Sequence, residues 1–198
     1  MSAPNKYTLK RRADRMRDTH ARIAKAAYEL HCTVGPSNTT VSAISERAGV
    51  QRHTFYRHFP DVASLYQACV AHGMIAMPLP DPAAWDRVKD ARARASLGLS
   101  ELYAYYRLTE SAWDHLVPDI PRIPALYEAN KPFFAVFGEI RRVLGQPFGT
   151  TGRRKKNVEA LVGLAIDFRN WQALARGQGM DDGEIARLWA SLLGCAAT

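Results

Sequence analysis

Cysteine is scarce in this sequence and badly placed for either of its usual structural uses. Cys32, Cys69 and Cys195 are odd in number and far apart, with no Cys-x-x-Cys spacing and no paired histidine. Neither a disulfide framework nor a zinc site is indicated, and reduced, partly buried thiols in a cytoplasmic protein are expected. No apolar run reaches the ~20 residues that a membrane-spanning helix needs. The basic N-terminus, MSAPNKYTLKRRADRMR, is followed by no apolar stretch of the kind a secretory signal carries. Enzyme constellations are missing too: there is no His-Glu-x-x-His, no Gly-x-Ser-x-Gly and no phosphate loop. His53 and His58 stand five apart, which fits one helical face poorly, and they lack a third ligand. No catalytic residue, metal or cofactor is expected.

Carboxylates are thin in the first third of the chain. Residues 1–60 hold 11 Lys/Arg against 4 Asp/Glu, a net of +7, whereas residues 61–198 hold 16 against 15, a net of +1. This is the footprint of a polyanion-binding module attached to a nearly neutral body. A solvated basic tail has the same charge, so the residue pattern has to decide.

What is abundant is helical periodicity in a chain that is 47% apolar, which excludes disorder. Met16, His20, Ile23, Ala27 and Leu30 line one face of a first helix over 11–31, and Arg11, Arg15 and Arg22 share another. Gly35-Pro36-Ser37-Asn38 ends it. Further helices are predicted over 41–48, capped by Thr39 or Thr40 and closed by Gly49, then over 51–58, and over 61–74 with Asp61 as cap. Three prolines in the segment 77–82 set a boundary, giving an N-terminal domain over 1–76 and a second over 77–198. The second reads as helices over 83–108, 110–116, 125–144, 155–176 and 181–197, with loops over 118–124 and 145–156. The fold class is all-α, with about nine helices.

The stretch 39–66, TTVSAISERAGVQRHTFYRHFPDVASLY, has the logic of a helix-turn-helix. Val41, Ile44 and Ala48 make the inner face of one short helix, and Phe55 and Phe59 that of the next. Gly49 allows the tight turn between them and Val50 fills the angle. Left outward on the second helix are Gln51, Arg52, His53, Tyr56, Arg57 and His58, with no carboxylate among them. Donors at that helix's N-terminal end can reach base edges in a major groove; Tyr56 and His58 are better placed for phosphates.

The run Thr40-Val41…Ile44…Ala48-Gly49-Val50…Thr54-Phe55-Tyr56-Arg57-His58-Phe59-Pro60 resembles the tetracycline-repressor (TetR) family signature, and the first helix resembles the family's first helix. The resemblance covers about residues 11–70. It implies that Thr40, Thr54, Tyr56 and His58 bind phosphates and that Ser42, Gln51, Arg52 and His53 lie at or near bases. It also implies a cytoplasmic, ligand-responsive repressor that binds a palindromic double-stranded operator as a homodimer. Members usually carry a lysine where this chain has Val62; the arginine-rich arm of Lys10, Arg11, Arg12 and Arg15 is expected to replace that phosphate contact.

In the second domain, Ile185, Leu188, Trp189 and Leu192 form one apolar stripe and Leu161, Leu164 and Phe168 another. Such stripes serve a core or a partner, and the resemblance implies a four-helix dimer interface. Aromatics at Tyr103, Tyr106, Trp113, Phe133, Phe134, Phe137 and Trp171 suit either a plain core or a pocket for a small lipophilic or aromatic effector. Two rivals stay open: a regulator that lacks such a pocket, and a basic protein lying on a membrane surface.

Overall fold

The computed structural model describes residues 6–149 and 151–198. Among the described residues there are eleven α-helices and no strand, the all-α class expected. In chain order they are α1 Lys6–Val34, α2 Val41–Arg47, α3 Arg52–His58, α4 Val62–Ala76, α5 Pro82–Trp85, α6 Ala91–Asp119, α7 Pro124–Ala129, α8 Lys131–Gly145, α9 Gly152–Ala165, α10 Phe168–Gln172 and α11 Asp182–Ala197. None is long and apolar enough to cross a membrane.

The boundaries differ from the expected ones for local reasons. The helices expected over 83–108 and 110–116 are joined: α6 runs unbroken past Thr109, whose hydroxyl donates to the Tyr105 carbonyl at 2.7 Å and so needs no cap of its own. The helix expected over 125–144 is instead two, because Pro132 offers no amide hydrogen to continue α7. The helix expected over 155–176 is broken at Asp167, whose carboxylate accepts the Asn170 amide at 3.0 Å and starts α10 afresh. A π-helical turn, Ala173–Gly177, follows it. The basic run Arg153–Lys156, expected at the junction of a loop and a helix starting at 155, lies wholly within the start of α9, where four cations oppose the helix dipole.

The described residues divide into two compact units. The first takes the chain up to Met77 together with Ser111–Lys131; the second takes Pro78–Glu110 and Pro132–Thr198. A single cut at 76/77 does not describe this division, because Leu126 and Ala129 of α7 are buried with Tyr66 of α4.

In the first unit Ile23, Ala27, Ile44, Phe55, Phe59 and Leu65 form one core. The stripe on α1 is buried only from Ile23 onward; Met16 is 49% exposed, because α1 runs on past the helices it packs against. Asp119, buried in the last turn of α6, accepts hydrogen bonds from the Ser37 amide (2.8 Å) and hydroxyl (2.6 Å). His31 is buried as well, its ring 5.5 Å from that of Tyr66. Burial pushes its imidazole down to about 4, with the Asp119 carboxylate pulling the other way.

In the second unit Trp85, Leu99, Leu102, Ile140, Val143, Leu144, Val162 and Ile185 are fully buried. α6 passes so close to its neighbours that Gly98 has no room for a side chain. A Cβ there would lie 2.7 Å from Leu144 Cδ2 and 2.9 Å from Trp85 Cε3, both on buried groups that cannot swing aside. Alanine is worth about 1 kcal/mol over glycine in a helix, but overpacking costs about 1–3 kcal/mol. Gly98→Ala is therefore expected to lower the melting temperature. Gly138→Ala, on α8 with nothing within 4 Å of its Cβ position, is expected to raise it. Paired thermal unfolding curves check both signs.

Candidate nucleic-acid interface

The two short helices of the first unit are set by local chemistry. The Thr40 hydroxyl caps α2 by accepting the Ala43 amide at 3.1 Å. α2 ends where Gly49 takes a left-handed φ of 63°, which a residue with a Cβ adopts only with strain. Val50 packs against the core beside that turn. The turn also has a brace that the sequence reading missed. Arg22 of α1 donates to the Ala48 carbonyl at 2.8 Å and to that of Gly49 at 3.3 Å, satisfying acceptors that the end of α2 leaves open. The signal was available in principle, since a helix ending in Ala-Gly leaves carbonyls in want of a donor. Asp61 is engaged at the start of α4, where its carboxylate accepts the Ser64 amide at 2.7 Å. Val62 beside it is 54% exposed.

α3 buries Phe55 and Phe59, whose rings lie 5.9 Å apart, and turns the rest of itself outward. Gln51, Arg52, His53, Tyr56 and Arg57 are exposed, while Thr54 and His58 are half-buried. Ser42 and Thr40 are exposed at the start of α2. The expected base-side and phosphate-side residues of α2 and α3 thus all keep some exposure, Thr54 and His58 only in part. His58 is held below the ordinary histidine range by burial, then by the Arg57 guanidinium and His20. On α1, Arg11, Arg12 and Arg15 are exposed, and Arg12 and Arg15 face the end of α3 across a cleft.

The residues expected in a pocket are placed in several settings. Tyr103, Tyr106 and Trp171 are fully buried, and Phe168 packs against the last two at 5.4 and 5.7 Å between ring centroids. Their polar tips are engaged within the fold. Tyr103 and Tyr106 donate to the Ala165 and Ile166 carbonyls at 2.8 and 2.5 Å, closing the C-terminal end of α9, and Trp171 donates to Asp182 at 3.0 Å. Asp182 in turn takes the Arg107 guanidinium on both oxygens, at 2.6 and 2.8 Å. Phe133 and Phe137 pair at 5.1 Å on α8, half-buried with Phe134, and Trp113 lies in the other unit.

The dimer stripes divide in the same way. Ile185 and Phe168 are buried in the second unit, and Leu161 and Trp189 are half-buried. Leu164, Leu188 and Leu192 are 49%, 40% and 41% exposed. The free thiols range from buried Cys69 through half-buried Cys32 to exposed Cys195.

Residues 23–69 match the family model for bacterial regulatory proteins of the tetR family. No curated protein matches the sequence significantly. Among solved structures the chain is similar to NalD, the secondary repressor of the MexAB-OprM multidrug efflux pump in Pseudomonas aeruginosa. That likeness has 20% identity and a TM-score of 0.61 over 92% of this chain and 97% of that one. It is also similar to a TetR-like transcriptional regulator from Rhodococcus sp. RHA1, at 15% identity and a TM-score of 0.60 over 88% and 93% of the two chains. The matched segment holds α2, the Gly49 turn and α3, so the chain carries the helix-turn-helix module that this family model describes, within a fold similar to those regulators.

Proposed function

We propose that the chain acts as a homodimeric repressor that recognises an inverted-repeat operator by laying α3 in the major groove. The observation that carries this reading is the outward face of α3. From Gln51 to His58 it offers donors and no carboxylate, on a helix anchored from behind by Phe55 and Phe59. Gln51, Arg52 and His53, with Ser42, read bases; Thr40, Thr54, Tyr56, Arg57 and His58 hold backbone phosphates, and Arg11, Arg12 and Arg15 add charge to that hold. A single helix-turn-helix spans few base pairs, so two copies are needed, and the exposed leucines of α9 and α11 supply an apolar face for the second. NalD is a repressor, which is the sense of regulation proposed here. An effector would be small and lipophilic or aromatic and would enter beside Phe133, Phe134 and Phe137, the expected aromatics of the second unit that keep some exposure. It would release DNA only to the extent that it prefers the pose in which the reading heads are misplaced.

Selection of bound duplexes from a random pool at about 150 mM salt, which suppresses non-specific binding, tests the proposal. Enrichment of an inverted repeat is expected. Arg52→Ala is then expected to cost about 1–3 kcal/mol of discrimination at one base pair of each half-site, with binding to random DNA nearly unchanged. Equal weakening on both DNAs would remove Arg52 from the base-reading set.

A further inference from the structure

α2 has seven residues, of which only Ile44 and Ser45 are buried, and a helix that short does not hold its place by its own hydrogen bonds. Its position is set from outside, at both ends. Arg22 of α1 holds the C-terminal end through the Ala48 and Gly49 carbonyls. The N-terminal end is entered through the connector 35–40, and that connector is held by a residue 82 positions further along the chain.

The connector bends at Pro36–Asn38, a short 3-10 turn preceded by Gly35 at a φ of 86°. Gly35 has no side chain with which to cap that turn. The cap comes instead from Asp119 in the last turn of α6, on the Ser37 amide at 2.8 Å and the Ser37 hydroxyl at 2.6 Å. The approach is close: a Cβ on Gly35 would lie 3.4 Å from Asp119 Oδ2. From the turn the bonds run on to α2. The Thr39 amide donates to the Pro36 carbonyl at 3.2 Å and the Thr39 hydroxyl to that of Gly35 at 2.8 Å, and Thr40 caps the helix. Folding alone does not call for a carboxylate at 119. It is 7% exposed and ends a helix with no basic residue in its last turn, where burial and the dipole both disfavour a negative charge.

We propose that Asp119 is a positioning residue for DNA recognition: by capping the connector it fixes the start of α2, and with it Thr40 and Ser42. The proposal rests on the DNA-binding reading above and deepens it. Thr40 and Ser42 lie three and five residues beyond Ser37, so a slackened connector displaces them first. Reading bases requires register, whereas phosphate contacts made by long, flexible arginines tolerate a shift. Loss of Asp119 therefore lowers affinity for the operator more than affinity for DNA at large.

The test uses the full-length chain and the operator duplex recovered by selection. Asp119→Ala removes an unfavourably placed charge, and Ser37 is exposed, so water takes up the donors it frees and the fold is retained. Operator affinity is expected to fall about tenfold, the low end for one hydrogen bond to a charged group. Affinity for random duplex is expected to stay within about twofold, because the phosphate contacts persist. Hydrogen exchange at the Ser37 amide should quicken. Asp119→Asn, whose side chain can still accept from the Ser37 amide and donate to its hydroxyl, is expected to bind as the wild type does. Ser37→Asp sets a second carboxylate against the first and should weaken operator binding as Asp119→Ala does. Adding Asp119→Asn to it lets the new amide donate to the new carboxylate and should restore binding. Unchanged operator affinity in Asp119→Ala, an equal loss on operator and random DNA, or no rescue of Ser37→Asp would each overturn the positioning role while leaving operator recognition standing. A wild-type chain that selects no DNA would remove the reading and the role together.

Discussion

Acidifying the protein from pH 7 to pH 5 is expected to loosen its first unit by about 2 kcal/mol, and His31→Gln is expected to abolish most of that loss. His31, in the last turn of α1, is buried against Tyr66 of α4, and its imidazole titrates at about 4 in the folded chain against 6.5 when exposed. Over that window the unfolded chain binds the proton and the folded chain does not, so stability falls with falling pH. The slope is about 1.4 kcal/mol per pH unit below 6.5, flattening below about 4, where both states are protonated. His58, also depressed, acts in the same direction and would account for a residual slope in the variant. The lowered carboxylates Glu29, Glu110 and Asp182 act in the same direction only below their unfolded values, near pH 4, and so lie outside the window. Hydrogen exchange of the α1 amides, followed by mass spectrometry across the pH range, reads the first unit directly. Identical pH profiles for wild type and His31→Gln would show that His31 is not the group responsible.

Leu188→Asp/Leu192→Asp is expected to leave the chain folded but monomeric and to weaken operator binding by about 100-fold or more. The two leucines stand one turn apart on α11 and remain 40% and 41% exposed, with Leu164 of α9 at 49%. Carboxylates are tolerated there in a single chain because water already reaches the positions. Buried between two copies they would be unpaired charges, which an apolar interface does not accept. The affinity loss follows from linkage: once one reading head is bound, the second is presented at high effective concentration, and separating the copies forfeits that gain. Sedimentation distinguishes a 22.1 kDa species from one of twice the mass, and circular dichroism reports whether the helices persist. A variant that still sediments as a dimer would move the interface elsewhere.

What was legible in the sequence was what is decided within a few residues. Thr40, Gly49, Phe55, Phe59 and Asp61 each act on neighbours three or four positions away, and the reading of 39–66 names all of them, leaving only the cap of α2 open between Thr39 and Thr40. Longer-range decisions were opaque. Ser111–Lys131 lies far along the chain from α1 and α4, and nothing in its composition says that Leu126 will be buried with Tyr66. Tyr103 and Tyr106 look the same in sequence whether they line a cavity or close the end of a helix sixty residues away. Pro132 and Asp167 each break a helix expected as continuous, one by lacking an amide hydrogen and the other by capping a new start. The apolar stripes showed which residues avoid water; burial in the monomer separates Ile185 and Phe168 from Leu164, Leu188 and Leu192.

α1 is one uninterrupted helix of 29 residues, and its parts are engaged in turn along its length. Arg12 and Arg15 face the cleft, Arg22 holds the α2 turn, Ile23 and Ala27 enter the core, and His31 lies near its end. A single residue inserted near Thr19 would rotate everything before it by about 100° and shift it by about 1.5 Å. The cleft arginines would then point away from α3 while the rest of the module stayed intact. α1 therefore behaves as a ruler whose marks may be repainted but not respaced: side chains on its outer face can drift, whereas its length between Arg12 and Arg22 is held by geometry.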